Sequence, residues 1–357
     1  MKFKYSVSPN YHTNVDTKRM MNDVTLALLF VSICCIILQY TLYGVAGSIR
    51  AALIMVVSVL TCTIVDFVFW KVKKVTKDKL MSTINQNVPL ITGLILALTL
   101  PLGDLASLEI IYVTVVAAII AELVGKLFFG GFGYNIFNPA AVGRAFVLLA
   151  FGRFLIAPQV DGLSSATPLQ SLQQNAGNMP EVFKSFDGVT SLLFGTHAGA
   201  IGETMVVPLL IACIFLIARK VISWIIPVFA IVTIGILATV YSIVGGGFDF
   251  DFVLVHMLSG GLIFGAVFML TDPVTNPVSK QGKMIYAILF ALITFLIRAK
   301  ANLPEGVVFA ILLSNMIVPF LDNVCAGVTS KLTGRKTLTV IGMLVLAIIL
   351  TTLFYFV

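Results

Sequence analysis

The sequence predicts an all-α integral membrane protein: two inverted five-helix repeats with broken helices, followed by an extra C-terminal transmembrane helix. Three observations carry that prediction. Of 357 residues, 59% are hydrophobic and only 11% charged, with mean hydropathy +1.05; a soluble domain carries about 25% charged residues. Apolar runs long enough to cross a hydrocarbon core recur along the chain, and they are continuous rather than alternating, so they read as helices and not as barrel strands. Finally, Gly93–Pro101 aligns without gaps to Gly265–Pro273, with Gly, Leu, Thr and Pro at matching places.

Taken in order, residues 1–22 form a polar N-terminal segment bearing Lys2, Lys4, Lys18 and Arg19. The first repeat, 23–157, reads as helices at 23–43, 49–70, 85–101, 106–129 and 138–157. A polar stretch follows at 158–203. The second repeat, 204–321, reads as helices at 204–218, 221–244, 252–271, 284–299 and 304–321. The extension 322–357 holds a last apolar run at 338–357. Five helices per half is an odd number, which inverts one half against the other in the membrane. Both aligned segments end in a proline, which removes a backbone donor and stops or kinks a helix. Such interrupted helices tend to line a site between repeats.

Charge sets the orientation. With the N-terminus in the cytoplasm, 18 Lys and Arg fall inside and 5 outside, as the positive-inside rule requires. The stretch 158–203 is then extracytoplasmic. The formal charge of +7 does not imply nucleic-acid binding, because Lys71, Lys73, Lys74, Lys77 and Lys79 sit just beyond an apolar run and no soluble basic domain exists. Cys34, Cys35, Cys62, Cys213 and Cys325 all lie in or beside apolar segments without a C-x-x-C pair; they read as small buried hydrophobes. No metal site is expected.

The candidate chemistry lies in Asp161-Gly162-Leu163-Ser164-Ser165-Ala166-Thr167. Thr167 is a secondary hydroxyl flanked by small residues, and Pro168 biases it towards extended backbone. Ser164, Ser165 and Ala166 put no bulk near the hydroxyl, and Gly162 frees the backbone. An enzyme bringing a nucleotide phosphate to that oxygen needs this access. Asp161 is placed to orient the peptide or help deprotonate Thr167. A D-x-x-[S/T]-x-A-T match arises by chance in roughly one chain in a hundred of this size. Among groups near the spans, Asp272 ranks first for an ion or cofactor contact and Asp66 second, with Glu109 and Asp322 unranked. Glu122 and Lys126 are spaced to pair, and His256 reads as an interior histidine. Asn138-Pro139 reads as a helix start. Arg144 has either a buried partner or a lipid phosphate.

These residues resemble the RnfD/NqrB family of membrane subunits. The resemblance covers about residues 1–325 and runs through Ser8-Pro9-Asn10-Tyr11-His12, Phe137-Asn138-Pro139-Ala140-Ala141-Val142-Gly143-Arg144-Ala145-Phe146, Ala166-Thr167-Pro168-Leu169, Leu270-Thr271-Asp272-Pro273 and Leu303-Pro304-Glu305-Gly306-Val307. By length the chain looks most like the D subunit of Rnf. The resemblance implies FMN joined by a phosphoester to Thr167, facing outward, with Asp161, Gly162, Ser164, Ser165 and Ala166 completing the acceptor sequence. It also implies riboflavin held inside the bundle in some members, a flavin transferase, other membrane and peripheral subunits as partners, and Na+ or H+ translocation across the bacterial cytoplasmic membrane. Two departures stand out: Ser165 where the family carries Gly, and the apolar segment after Arg335. The rival readings are an inverted-repeat channel or transporter for a small solute, and a structural scaffold for partner subunits.

Overall fold

The computed structural model describes residues 16–105, 107–155, 167–174, 188–259, 261–300, 306–325 and 334–356. Among them the regular structure is helical, with no strand. Seven of these helices are long and apolar enough to cross a membrane, a bent pair adds an eighth candidate, and two shorter apolar helices join them. The chain is therefore a multi-pass membrane protein.

The first helix, α1 (Thr17–Val72), is 56 residues long. A straight helix of that length would reach on the order of 84 Å, far beyond a ~30 Å hydrocarbon core. Gly44 breaks it, with φ 66° and ψ −158°, a left-handed backbone that only glycine adopts without strain. The chain doubles back there. Met21 before the break and Asn87, the hydrogen-bond partner of Asp66 after it, line the same cavity. The sequence expectation of a short loop at 44–48 thus contracts to one residue. The helix also begins six residues earlier than expected, inside the polar N-terminal segment.

α2 (Lys77–Asn87) and α3 (Pro89–Thr99) follow, separated by Val88 in the left-handed region (φ 50°, ψ 54°). The single helix expected from residue 85 onward is therefore divided at its start. α4 spans Glu109–Leu123. α5 (Pro139–Ala150) starts where Asn138 accepts the Ala141 N–H at 3.2 Å, with Pro139 in the first turn. Two short helices come next, α6 (Pro168–Gln174) and α7 (Gly188–Phe194), then α8 (Val206–Ala218) and α9 (Ile225–Val244).

The expected single helix at 252–271 is two helices, α10 (Phe250–Leu258) and α11 (Leu262–Met269), bent by 50°. Gly261, with φ +70°, stands at the head of the second. The last five residues of α11, Gly265–Met269, form a π-turn, a feature that often marks functional sites. α12 (Lys280–Lys300), α13 (Val307–Val324) and α14 (Gly334–Phe356) complete the fold.

One large apolar core runs through α1, α3, α4, α5, α8, α9, α11, α12 and α13. A second lies between α9, α12 and α14. Several threonine hydroxyls inside the spans return to their own helix, as when Thr61 donates to Val57 O, Thr114 to Ile110 O and Thr239 to Gly235 O, while Ser58 of α1 donates across to Gly93 O of α3. This satisfies a polar group where no water is present.

Candidate functional site

Thr167 is the one residue of the acceptor sequence within the described structure. Asp161, Gly162, Ser164, Ser165 and Ala166 lie outside the described residues. Thr167 stands immediately before α6, and its carbonyl accepts the Ser171 N–H at 2.9 Å. Its hydroxyl oxygen accepts the Gln170 N–H at 3.3 Å, while its own N–H donates to Gln170 Oε1 at 3.0 Å. This is a capping box, in which two backbone donors at a helix start are satisfied reciprocally. The spacing Thr-x-x-Gln is the sequence signal for it, and reading the segment as an acceptor alone passes it over. α6 is anchored by Leu169 and Leu172, buried against Leu192 of α7 and Val255 of α10. Thr167 itself is half-buried, so a positioned hydroxyl stands at the edge of a fixed apolar patch.

The segment after α7 ties this region to both broken helices. Ile201 N–H donates to Leu100 O at 2.9 Å and Gly202 N–H to Leu98 O at 2.7 Å, at the end of α3. The Glu203 carboxylate lies against Gly261, where a Cβ would come within 2.5 Å of it. Gly261 opens α11. His197 is buried here, and burial pushes its imidazole down to about 4. It is therefore neutral at pH 7, and Nδ1 donates to the Ser191 carbonyl at 3.0 Å.

The far ends of α3 and α11 line a cavity. It encloses about 710 Å³, open mouth included, between Met21 and Val24 of α1, Val88–Ile95, Lys126, the start of α5, the end of α8 and Val267–Pro273. Its walls are mostly apolar. Asn87, Thr92, Lys126, Asn135, Asn138, Thr271 and Asp272 supply the polar groups. Asn138 joins α5 to α11 directly, donating from Nδ2 to Met269 O at 3.2 Å. Asp272 accepts from the Val274 N–H at 3.2 Å and from the Thr275 hydroxyl at 3.4 Å.

Of the sequence candidates, Asp272, Lys126, Asn138 and Pro139 meet at this cavity, and Asp66 stands directly behind it through Asn87. Glu122 pairs with Lys126 at 2.9 Å, as its spacing suggested. Asp322 lies elsewhere, accepting the Val278 N–H at 2.9 Å. Glu109 is exposed at the start of α4. His256 is interior, between Phe252 and Phe295. Arg144 is buried within α5, so of the two sequence options the structure selects the interior one. Arg298, counted from sequence as an outer-loop charge, is buried too. It donates to His256 O at 2.7 Å and Ser259 O at 3.0 Å, capping carbonyls that the α10–α11 break leaves open.

Comparison with known proteins places the chain in a family. The family model described as "NQR2, RnfD, RnfE family" matches residues 4–331. The chain is 33% identical over 326 residues to the D subunit of the proton-translocating ferredoxin:NAD(+) oxidoreductase complex of Clostridium ljungdahlii, covering 89% of this chain and 95% of that protein. It is 32% identical over 323 residues to the D subunit of the Na(+)-translocating ferredoxin:NAD(+) oxidoreductase complex of Acetobacterium woodii, covering 89% and 92%. It is 29% identical over 363 residues to the D subunit of an ion-translocating oxidoreductase complex of Escherichia coli, covering 90% and 96%. With the match running through every element up to α13, the chain belongs to the NQR2, RnfD, RnfE family.

Proposed function

We propose that this chain is the D-type membrane subunit of an Rnf-type ion-translocating oxidoreductase complex and carries FMN on Thr167 through a phosphoester. The family match and the D-type relatives support the first part. The observation that carries the second is Thr167 itself. It closes an acceptor sequence and stands half-buried at the head of an anchored helix. Its hydroxyl oxygen only accepts in the capping box, and an ester oxygen can still accept. Attachment therefore leaves that hydrogen bond available.

In this reading the chain lies in the bacterial cytoplasmic membrane, N-terminus inside and 158–203 outside, with its halves related as inverted repeats. A flavin transferase installs the FMN, and other subunits deliver and collect electrons. The flavin supplies the redox chemistry when bound. The protein's part is to fix the attachment point and to shape the surroundings. The cavity is the natural place for a second, non-covalent flavin such as riboflavin. It combines apolar walls with a few convergent polar groups, as small-molecule sites do. Asn87, Asn135, Asn138 and Lys126 would hold the polar edge of the ring or its ribityl chain. Electron transfer is coupled to movement of Na+ or H+.

The test is in-gel fluorescence. The chain co-expressed with its flavin transferase should give a fluorescent band after denaturation, and Thr167→Val should be dark. A dark wild-type band would favour the small-solute channel or the scaffold reading instead.

A further inference from the structure

A cluster of three charged side chains sits behind the cavity, in the interior of the first half. Glu122 is 0% exposed, Asp66 0% and Lys126 2%. The helices set them side by side. Cys62 of α1 donates through its thiol to Ala118 O of α4 at 3.8 Å. One turn further along each helix stand Asp66 and Glu122, close enough for their charges to act on one another. Lys126 donates to Glu122 Oε1 at 2.9 Å and to the Thr92 hydroxyl at 3.4 Å. Asp66 Oδ1 accepts from Trp70 Nε1 at 3.0 Å and from Asn87 Nδ2 at 2.9 Å.

One oxygen of each acid is left over. Asp66 Oδ2 and Glu122 Oε2 are buried and have no hydrogen-bond partner among the described residues. The charges do not balance either. Two carboxylates face one ammonium, and an uncompensated charge in an apolar interior costs several kcal/mol. Of the groups that contact or act on Asp66 and Glu122, only Lys126 is positive: Thr92, Trp70 and Asn87 are neutral, the Cys62 thiol is uncharged, and Asp272 across the cavity adds another acid.

We propose that Asp66 and Glu122 form a buried protonation site that holds one proton between them, next to the cavity. Two leftover oxygens suit a proton. Among the described residues no group of three or more His, Cys, Asp or Glu is placed to hold a metal ion. The site is wired to the cavity twice. Asn87, which donates to Asp66 and accepts the Phe132 N–H at 3.0 Å, lines the cavity, and so does Lys126. A negative charge arriving in the cavity would compete for Lys126 and tighten the hold on the proton; its departure would loosen it. The inference is independent of covalent flavin at Thr167, so either can fail without the other.

Infrared difference spectroscopy of the full chain in lipid nanodiscs reads protonated carboxyls directly. An Asp272→Asn background removes the acid on the cavity wall. In that background at neutral pH, in potassium buffer, we expect the signal of one buried protonated carboxyl per chain. Asp66→Asn should abolish it, because Glu122 then pairs with Lys126, and Glu122→Gln should abolish it for the converse reason. The charge-matched Glu122→Gln/Lys126→Met chain should keep it on Asp66 alone. No protonated buried carboxyl in the parent chain would overturn the proposal, and that arm needs no substitution in the cluster. A signal that survives both single substitutions, or one that sodium abolishes in the parent, would overturn it as well.

Discussion

Thr167 has a structural part of its own, and in the proposed function the same side chain carries the flavin. Its oxygen caps α6 through the Gln170 N–H, and Gln170 returns the contact. Gln170→Ala should remove half of that box and cost about 0.5–2 kcal/mol of local helix stability. Faster amide hydrogen exchange in 167–174, with the rest of the chain unchanged, is the expected outcome. Lys126 is the opposite case, a residue whose loss should be felt throughout. Lys126→Met leaves Glu122 buried without its partner, which should cost about 3–5 kcal/mol. The thermal midpoint in detergent should fall for that variant and recover in Glu122→Gln/Lys126→Met. At this scale the sequence was legible wherever contact is local. The spacing of Glu122 and Lys126 and the Asn138 cap are set by the helix itself. Arg298 was not legible, because its partners, His256 O and Ser259 O, lie about forty residues away in sequence and exist only once α10 and α11 part.

At the scale of elements, the breaks matter more than the helices. Long apolar runs dictate spans, and all the spans expected from sequence have helical counterparts here. What periodicity does not report is a single residue that turns the chain: Gly44 within α1, Val88 between α2 and α3, and Gly261 before α11. Across Gly261 apolar composition is continuous, so hydropathy sees one helix at 252–271; the turn at Gly44 is expected as the wider loop 44–48, and Val88 stands where polar α2 gives way to apolar α3. The cavity is built at such places, between the start of α3, the start of α5 and the end of α11. Asn138 holds two of these ends together. Asn138→Ala should lose an N-cap, about 1 kcal/mol, and leave Met269 O without that donor, a further ~1–3 kcal/mol for a buried carbonyl. A lowered thermal midpoint checks the sum.

For the molecule as a whole, family membership and the helical membrane fold were legible because short sequence stretches and overall hydropathy carry them. The proposed attachment site reads from sequence as a motif and not as a place. The acceptor sequence named Thr167, but nothing in it foretold the packing of Leu169 and Leu172 on α10 or the cavity beyond α3 and α11. The extra apolar segment is a genuine element, α14. It begins three residues past the end of the family match at residue 331 and packs on α9 and α12 through its own small core. Since α14 lines neither Thr167's patch nor the cavity, truncation after residue 331 should leave covalent flavin attachment intact; loss of the fluorescent band on truncation would show that α14 supports the site. The most direct test of the central claim is peptide mapping of that band. Trypsin should release residues 154–184 as one peptide, and its fragmentation should place the mass of an FMN phosphoester on Thr167. The same mass on another residue, or an unmodified peptide from chain made with its transferase, would contradict the account.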